Sequence, residues 1–137
     1  MISQYLANKL LEHTLKHVSY TSPTTVYLAF FTDRINFTDN IGTPTEVSGG
    51  AYARTSIAFA AAAGGAIQSN AAVTFPAPSG ANWGTIKSVA ICDASSSGNI
   101  LYYQNLCQPI TVNDGDPAPS YVAGAITEMM GLCEGAC

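Results

Sequence analysis

GTPTEVSGGAYARTSIAF, residues 42–59, joins a Thr/Pro/Gly loop to a run of alternating residues. On an extended chain Tyr52, Arg54, Ser56 and Ala58 fall on one side, and Ala53, Thr55, Ile57 and Phe59 on the other. Gly49 and Gly50 supply the backbone freedom to turn into that strand. The pattern predicts a strand from Ala51 to Ala60. It holds no catalytic grouping.

Outward from this stretch, the chain continues to read as short strands between turn signals. Val26–Phe31 (VYLAFF) is almost wholly apolar and predicts the most buried strand. A polar loop runs from Asp33 to Thr45. Gly64 and Gly65 interrupt an alanine run and predict a hairpin connection rather than a helix. Residues 71–75 form a short strand closed by Pro76 and Pro78. Trp83–Cys92 is a long strand, with Ile86, Ser88, Ala90 and Cys92 assigned to one face and Lys87, Val89 and Ile91 to the other. A DASSSGN turn (93–99) precedes strands at 100–106 and 110–112, and residues 121–127 supply a last strand. Seven to eight strands at roughly 8–12-residue spacing predict an all-β fold, a single jelly-roll-like antiparallel β-sandwich. No strand–helix alternation, heptad seam, collagen-like repeat or solenoid period occurs.

One helix precedes the strands. Ile2, Tyr5, Leu6, Leu10, Leu11, Leu15 and Val18 recur at helical spacing, and Ser3 suits its N-cap. The division expected is an amphipathic N-terminal helix over residues 1–18, a β-sandwich over 19–128 and a tail or arm over 129–137. The predicted core comprises Val26, Leu28, Phe30, Ile57, Phe59, Val89, Ile91 and Leu101.

The chain has 137 residues, 47% hydrophobic and only 10% charged. Average domains carry about 25% charged residues. A surface so poor in charge points to a protein that hides much of it against neighbours. The five cations, Lys9, Lys16, Arg34, Arg54 and Lys87, are scattered, so direct binding to nucleic acid is not expected. No apolar stretch is long enough to span a bilayer, and MISQYLANKLL lacks the layout of a signal peptide. Synthesis and assembly in a bacterial cytoplasm are expected, with free thiols at synthesis. Of the four cysteines, Cys92 and Cys107 read as ordinary buried small residues; Cys133 and Cys137 lie in the tail, and the pairing of the four stays open.

Chemistry-bearing groupings are sparse. His13 and His17 share a helix face at metal-compatible spacing, but no further ligands accompany them and a polar helix edge or subunit contact is the expectation. NDGD (113–116) has a calcium-loop look without the remaining oxygen ligands, and reads as a turn. No G-x-S-x-G, G-x-G-x-x-G or Walker pattern is present. No catalytic residue, metal or cofactor is expected, and the protein reads as a non-enzyme. Tyr5, Tyr20, Tyr27, Tyr52, Trp83, Tyr102, Tyr103 and Tyr121 serve a core or interface more readily than a glycan platform.

The ordered segments YLANKLLEHTL, TSPTTVYLAFFTD, TEVSGGAYARTSIAF, SNAAVTFPAPSGANWGTIKSVAICDASSSGNILYYQNL and TVNDGD carry a resemblance. Over residues 4–116 the chain is similar to small bacteriophage virion proteins known as tail fibre proteins, most specifically in EVSGGAYAR and WGTIKSVAICD. After Asp116 it departs from their pattern, with Pro117 and Pro119 where a strand is expected.

The resemblance implies a structural virion protein. Short and without shaft material, the chain is expected to be a capsid decoration or cement protein. In that role it would contact the major capsid protein or other virion proteins and itself as a homodimer or homotrimer. A tail fibre, tail-tip or baseplate component for host attachment is the alternative, and a carbohydrate-binding sandwich a weaker one. The contact residues expected are Ile2, Tyr5, Leu6, Leu10, His13, His17 and Trp83, with Met129, Met130 and Leu132 of the tail.

Overall fold

The apolar run Val26–Phe31 forms strand β1, and everything else is arranged around it. The computed structural model describes residues 1–130. Its elements are helix α1 (Gln4–Leu15) and strands β1 (Val26–Phe31), β2 (Thr55–Ile57), β3 (Ala66–Gln68), β4 (Val73–Thr74), β5 (Gly84–Cys92), β6 (Ile100–Val112), β7 (Ser120–Tyr121) and β8 (Thr127–Met129). One antiparallel four-stranded sheet has the order β2-β1-β5-β6. In it Leu28 lies opposite Ile91 and Phe30 opposite Val89. Two short antiparallel ribbons, β3–β8 and β4–β7, accompany it.

β1 is apolar at nearly every position because both faces of the sheet are covered. Leu28 and Phe30 enter a cluster with Val47, Ile57, Val73, Phe75, Trp83, Ile86, Val89, Ile91 and Val112, against which Val26 and Phe59 pack half-buried. Phe30 stacks on Phe75 with centroids 4.1 Å apart. Ala29 and Phe31 enter a second cluster with Ile35, Ala90, Cys92, Ile100 and Tyr103. Leu101 is buried as well.

The fold is mostly β, with antiparallel sheets and one N-terminal helix. The jelly roll expected is not shown among the described residues. The second layer is not a full sheet but two ribbons of two or three residues per strand, with loops between them. Proline explains the brevity: Pro76, Pro78, Pro117 and Pro119 flank β4 and β7 and cannot donate to a ladder. The last strand likewise splits into β7 and β8 around a turn in which Ala125 N–H bonds Val122 O at 3.1 Å. Met129, placed at the start of a tail, is instead paired with Ala66 in the β3–β8 ribbon.

A bulge corrects the reading of β5. Ile86 pairs with Ile110 and Ser88 with Asn105, so Lys87 alone stands opposite Leu106, Cys107, Gln108 and Pro109. Alternation shifts by one residue there. Ile86 therefore joins Val89 and Ile91, while Ser88 turns to the other face and donates to Asp33 O at 2.6 Å. β6 runs unbroken past Pro109, which sits within the register break where no ladder N–H is needed.

β2 is shorter than the strand expected at 51–60. Tyr52 N–H bonds Gly49 O at 2.9 Å in a turn, and Phe59 makes only an isolated bridge to Ser69. Gly50 has φ +54°, and a methyl group there would collide with the Ala81 carbonyl oxygen and the Trp83 ring. The Gly64–Gly65 hairpin forms, with Ala63 and Ala66 exchanging bonds of 2.9 and 3.0 Å. Cys92 is buried, whereas Cys107 is exposed on β6, outside the core proposed for it. Cys133 and Cys137 lie outside the described residues.

Candidate functional site

The two segments most characteristic of this chain close on each other. Arg54 stands just before β2, and its side chain is 3% exposed. Its Nε and Nη2 donate to the two carboxylate oxygens of Glu46, each at 2.7 Å, a fork-to-fork pair. Its Nη1 donates to Ala94 O at 2.7 Å and Ser97 O at 2.9 Å, gripping the turn after β5. Tyr52 Oη donates to Glu46 at 3.1 Å and accepts from Phe30 N–H at 2.9 Å. Trp83 Nε1 donates to Gly50 O at 2.7 Å.

The gripped turn is itself laced. Asp93 accepts from Asn99 N–H at 2.6 Å and from the Asn99 amide at 2.8 Å. The Asn99 oxygen accepts from Asn40 at 2.9 Å, and Asn40 accepts from Ile100 N–H at 2.8 Å. Burial drives the Tyr52 phenol far above its ordinary range. The Arg54 guanidinium is raised, first by its bonds to Glu46. The Cys92 thiol, desolvated nearby, is pushed up to about 12. These shifts hold each group in its resting protonation state at neutral pH. The arrangement is a clamp that orders loops, with the forked partners already spent on each other.

The N-terminal segment is built differently. Ser3 caps α1, accepting from Leu6 N–H at 3.2 Å and donating to Ile100 O at 2.5 Å. Ser3 N–H bonds Leu101 O at 2.9 Å, Tyr103 N–H bonds Met1 O at 2.8 Å, and Ile2 bridges Tyr102, so residues 1–3 line the outer edge of β6. Gln4 N–H reaches Phe37 O at 2.8 Å. Leu6 is buried, and Leu10 and Tyr5 are half-buried, with Lys9 Nζ 5.9 Å from the Tyr5 ring centre. Beyond that turn the helix stands clear: Leu11 is 57% and Leu15 76% exposed, and Val18 is exposed too. His17, at φ +60°, ends the helix, with Val18 N–H and Lys16 N–H both reaching Glu12 O at 3.1 Å. His13 Nδ1 lies 3.1 Å from Val18 O.

The expected contact residues thus scatter. Trp83 is 3% exposed inside the aromatic core, edge-on to Tyr52 at 5.2 Å, so it offers no outward platform. Leu6 is spent on its own chain. Ile2, Tyr5 and Leu10 are half-buried, Ile2 against Tyr102 of β6. His13 and His17 are exposed, as are Met129 and Met130; Leu132 lies outside the described residues. Exposed Phe37, Ile110 and Val122 had no signal in the sequence, since each sits in an ordinary apolar or loop context. Adjacent Leu10 and Leu11 were the available clue that α1 carries apolar residues on more than one side.

Asn113–Asp116 forms a turn: Asp116 N–H bonds Asn113 O at 3.1 Å, and Asp114 accepts from Gly80 N–H at 2.8 Å. Among the described residues, no three His, Cys, Asp or Glu side chains gather to hold a metal, and no helix is long and apolar enough to cross a membrane.

A family model described as the podophage GP4 fiber I protein gp80 matches residues 1–128. No curated protein matches the chain. The chain belongs to this phage fibre protein family, and is a non-enzymatic structural component of the virion that interacts with other virion proteins.

Proposed function

We propose that this fibre-family protein is a component of the phage tail fibre apparatus, held by neighbouring virion proteins and taking part in host attachment. The observation that carries this reading is the family match across residues 1–128. It favours the fibre alternative over capsid cement. The cement reading leaned on the absence of shaft-forming repeats, and a compact β module without a shaft is equally suited to the root or tip of a fibre.

The molecule supports contact by burial of aliphatic surface. Leu11 and Leu15 project from a helix whose first turn is fixed to β6, Val18 is exposed just after it, and Met129 and Met130 are exposed at the β3–β8 ribbon. Removing such surface from water is worth about 25 cal/mol per Å² of apolar area, before the cost of association. Repetition over copies in a symmetric assembly, a homodimer or homotrimer among them, multiplies a modest contact.

Copy number and position in the particle test this reading. Quantitative mass spectrometry of purified virions is expected to give a handful of copies per particle, and antibody labelling in electron micrographs to decorate the tail. Stoichiometric copies across the shell, with label over the capsid, would overturn it in favour of cement.

A further inference from the structure

Between the four-stranded sheet and the segment joining β7 to β8 lies a cleft of about 220 Å³. Its floor is aliphatic, made by Val89, Ile91 and Leu106, and its lining includes Tyr102 and Tyr121. Polar lining comes from Gln104, Thr127 and Glu128. The carboxyl of Glu128 is mostly buried, and desolvation raises its pKa; its charge in turn helps raise that of the Tyr102 phenol. The cation now facing that carboxylate is the Met1 ammonium group, 3.4 Å away and half exposed.

We propose that this cleft receives the alkyl-ammonium end of a lysine side chain presented by another virion protein. Three features converge on that chemistry. The aliphatic floor suits a methylene stem. Tyrosine rings attract an ammonium group by their quadrupole, most strongly where water is excluded. A partly desolvated carboxylate gains most from an opposite charge; here the lysine ammonium takes over Glu128 from Met1, whose own ammonium keeps its bond to the Tyr103 carbonyl oxygen at 2.8 Å. A sugar is a poorer match, because the floor leaves its hydroxyls desolvated without partners. The identity of the lysine's owner rests on the fibre reading above; the chemistry of the cleft does not.

The isolated protein tests this without the virion. N-acetyl-lysine methylamide, titrated into labelled protein, is expected to shift the amide resonances of Gln104, Thr127 and Glu128 to saturation. N-acetyl-norleucine methylamide, which keeps the stem and lacks the ammonium, is expected to bind about tenfold more weakly. Glu128→Gln removes that difference, and Tyr102→Leu, which keeps the carboxylate, weakens the lysine probe while the spectrum of each variant reports its fold. Equal binding of the two probes, unchanged preference in Glu128→Gln, or no shift at those amides would overturn the proposal. Glucosamine binding more tightly than the lysine probe would overturn the assignment to a lysine. None of these results depends on where in the particle the protein sits.

Discussion

The Arg54 clamp and the N-terminal helix solve the same problem, fixing a peripheral segment to the sheet, in opposite ways. The clamp surrounds one buried guanidinium with four oxygen acceptors and ties two loops together. The helix is pinned at its first turn by Ser3 and Leu6, and its later leucines Leu11 and Leu15 are exposed. The difference separates architecture from contact. The most distinctive polar residues of the chain are consumed in holding it together, while the apolar surface at this end is plain leucine on a helix that needs little more than its cap, and a valine just after it.

Cutting the clamp is the strongest way to break the comparison. Arg54→Ala leaves Glu46 and the carbonyls of Ala94 and Ser97 without their cation. Removing one partner of a buried pair costs about 3–5 kcal/mol. A lower denaturation midpoint in urea, with unchanged slope, is the expected result. Arg54→Lys is expected to recover little, because an ammonium group cannot fork onto both Glu46 oxygens and reach two carbonyls. A loss below about 1 kcal/mol, the range of exposed pairs, would show that the clamp is ornamental.

The same region carries a pH signature. Cys92 has its thiol pKa raised to about 12 by burial. In the unfolded chain a thiol ionises near 8.5. Between these values the folded state binds more protons than the unfolded one, so stability falls as pH rises. The loss begins above the unfolded value and at pH 10 amounts to roughly 2 kcal/mol from this group. Buried Tyr52 adds to the fall at higher pH, its phenol being raised as well. Comparing Cys92→Ala with the parent by urea unfolding at pH 7 and pH 10 isolates the thiol: the gap between them is expected to narrow at the higher pH. A gap that stays constant would mean that Cys92 ionises alike in both states.

How far this was legible depends on how local each signal is. β1 could be read residue by residue because an unbroken apolar run reports burial on both faces. The Gly64–Gly65 hairpin and the 113–116 turn are written in their own residues. The β5 faces were misassigned at Ile86 because the bulge opposite Lys87 depends on four residues of β6, distant in sequence. Trp83 was expected at an interface as an aromatic anchor; its indole is instead held inside the fold by the Gly50 carbonyl, which no alternation pattern reveals. The jelly roll is not shown for a related reason, since strand spacing counts segments but does not say whether two or five residues of each will find a ladder. At the helix, periodicity identified the apolar residues but not the point at which the sheet beneath them ends.

The helix anchor gives a smaller effect. Ser3→Ala removes the cap of α1 and a bond to the Ile100 carbonyl, and is expected to cost about 1 kcal/mol. Hydrogen exchange locates the loss: amides of α1 should exchange faster while those of β1 and β5 keep their protection. Acceleration throughout the sheet would mean that the N-terminal segment is integral to the core, and the contrast drawn above would collapse.

The smallest effect on stability carries the largest consequence for function. Leu11→Asp with Leu15→Asp alters residues already in water, so the denaturation midpoint should move by no more than about 0.5 kcal/mol. If these leucines dock on a neighbour, each buried aspartate would face an apolar surface with no counter-charge, and incorporation into particles should fall sharply in a complementation assay. Leu6→Asp cannot serve here, because Leu6 is buried within its own chain and its loss would confuse docking with folding. Conservative Leu11→Met with Leu15→Met retains apolar area and should restore incorporation. Full incorporation of the aspartate variant would assign docking to the other exposed apolar residues, Met129 and Met130 first, and leave the bare half of the helix as solvated surface.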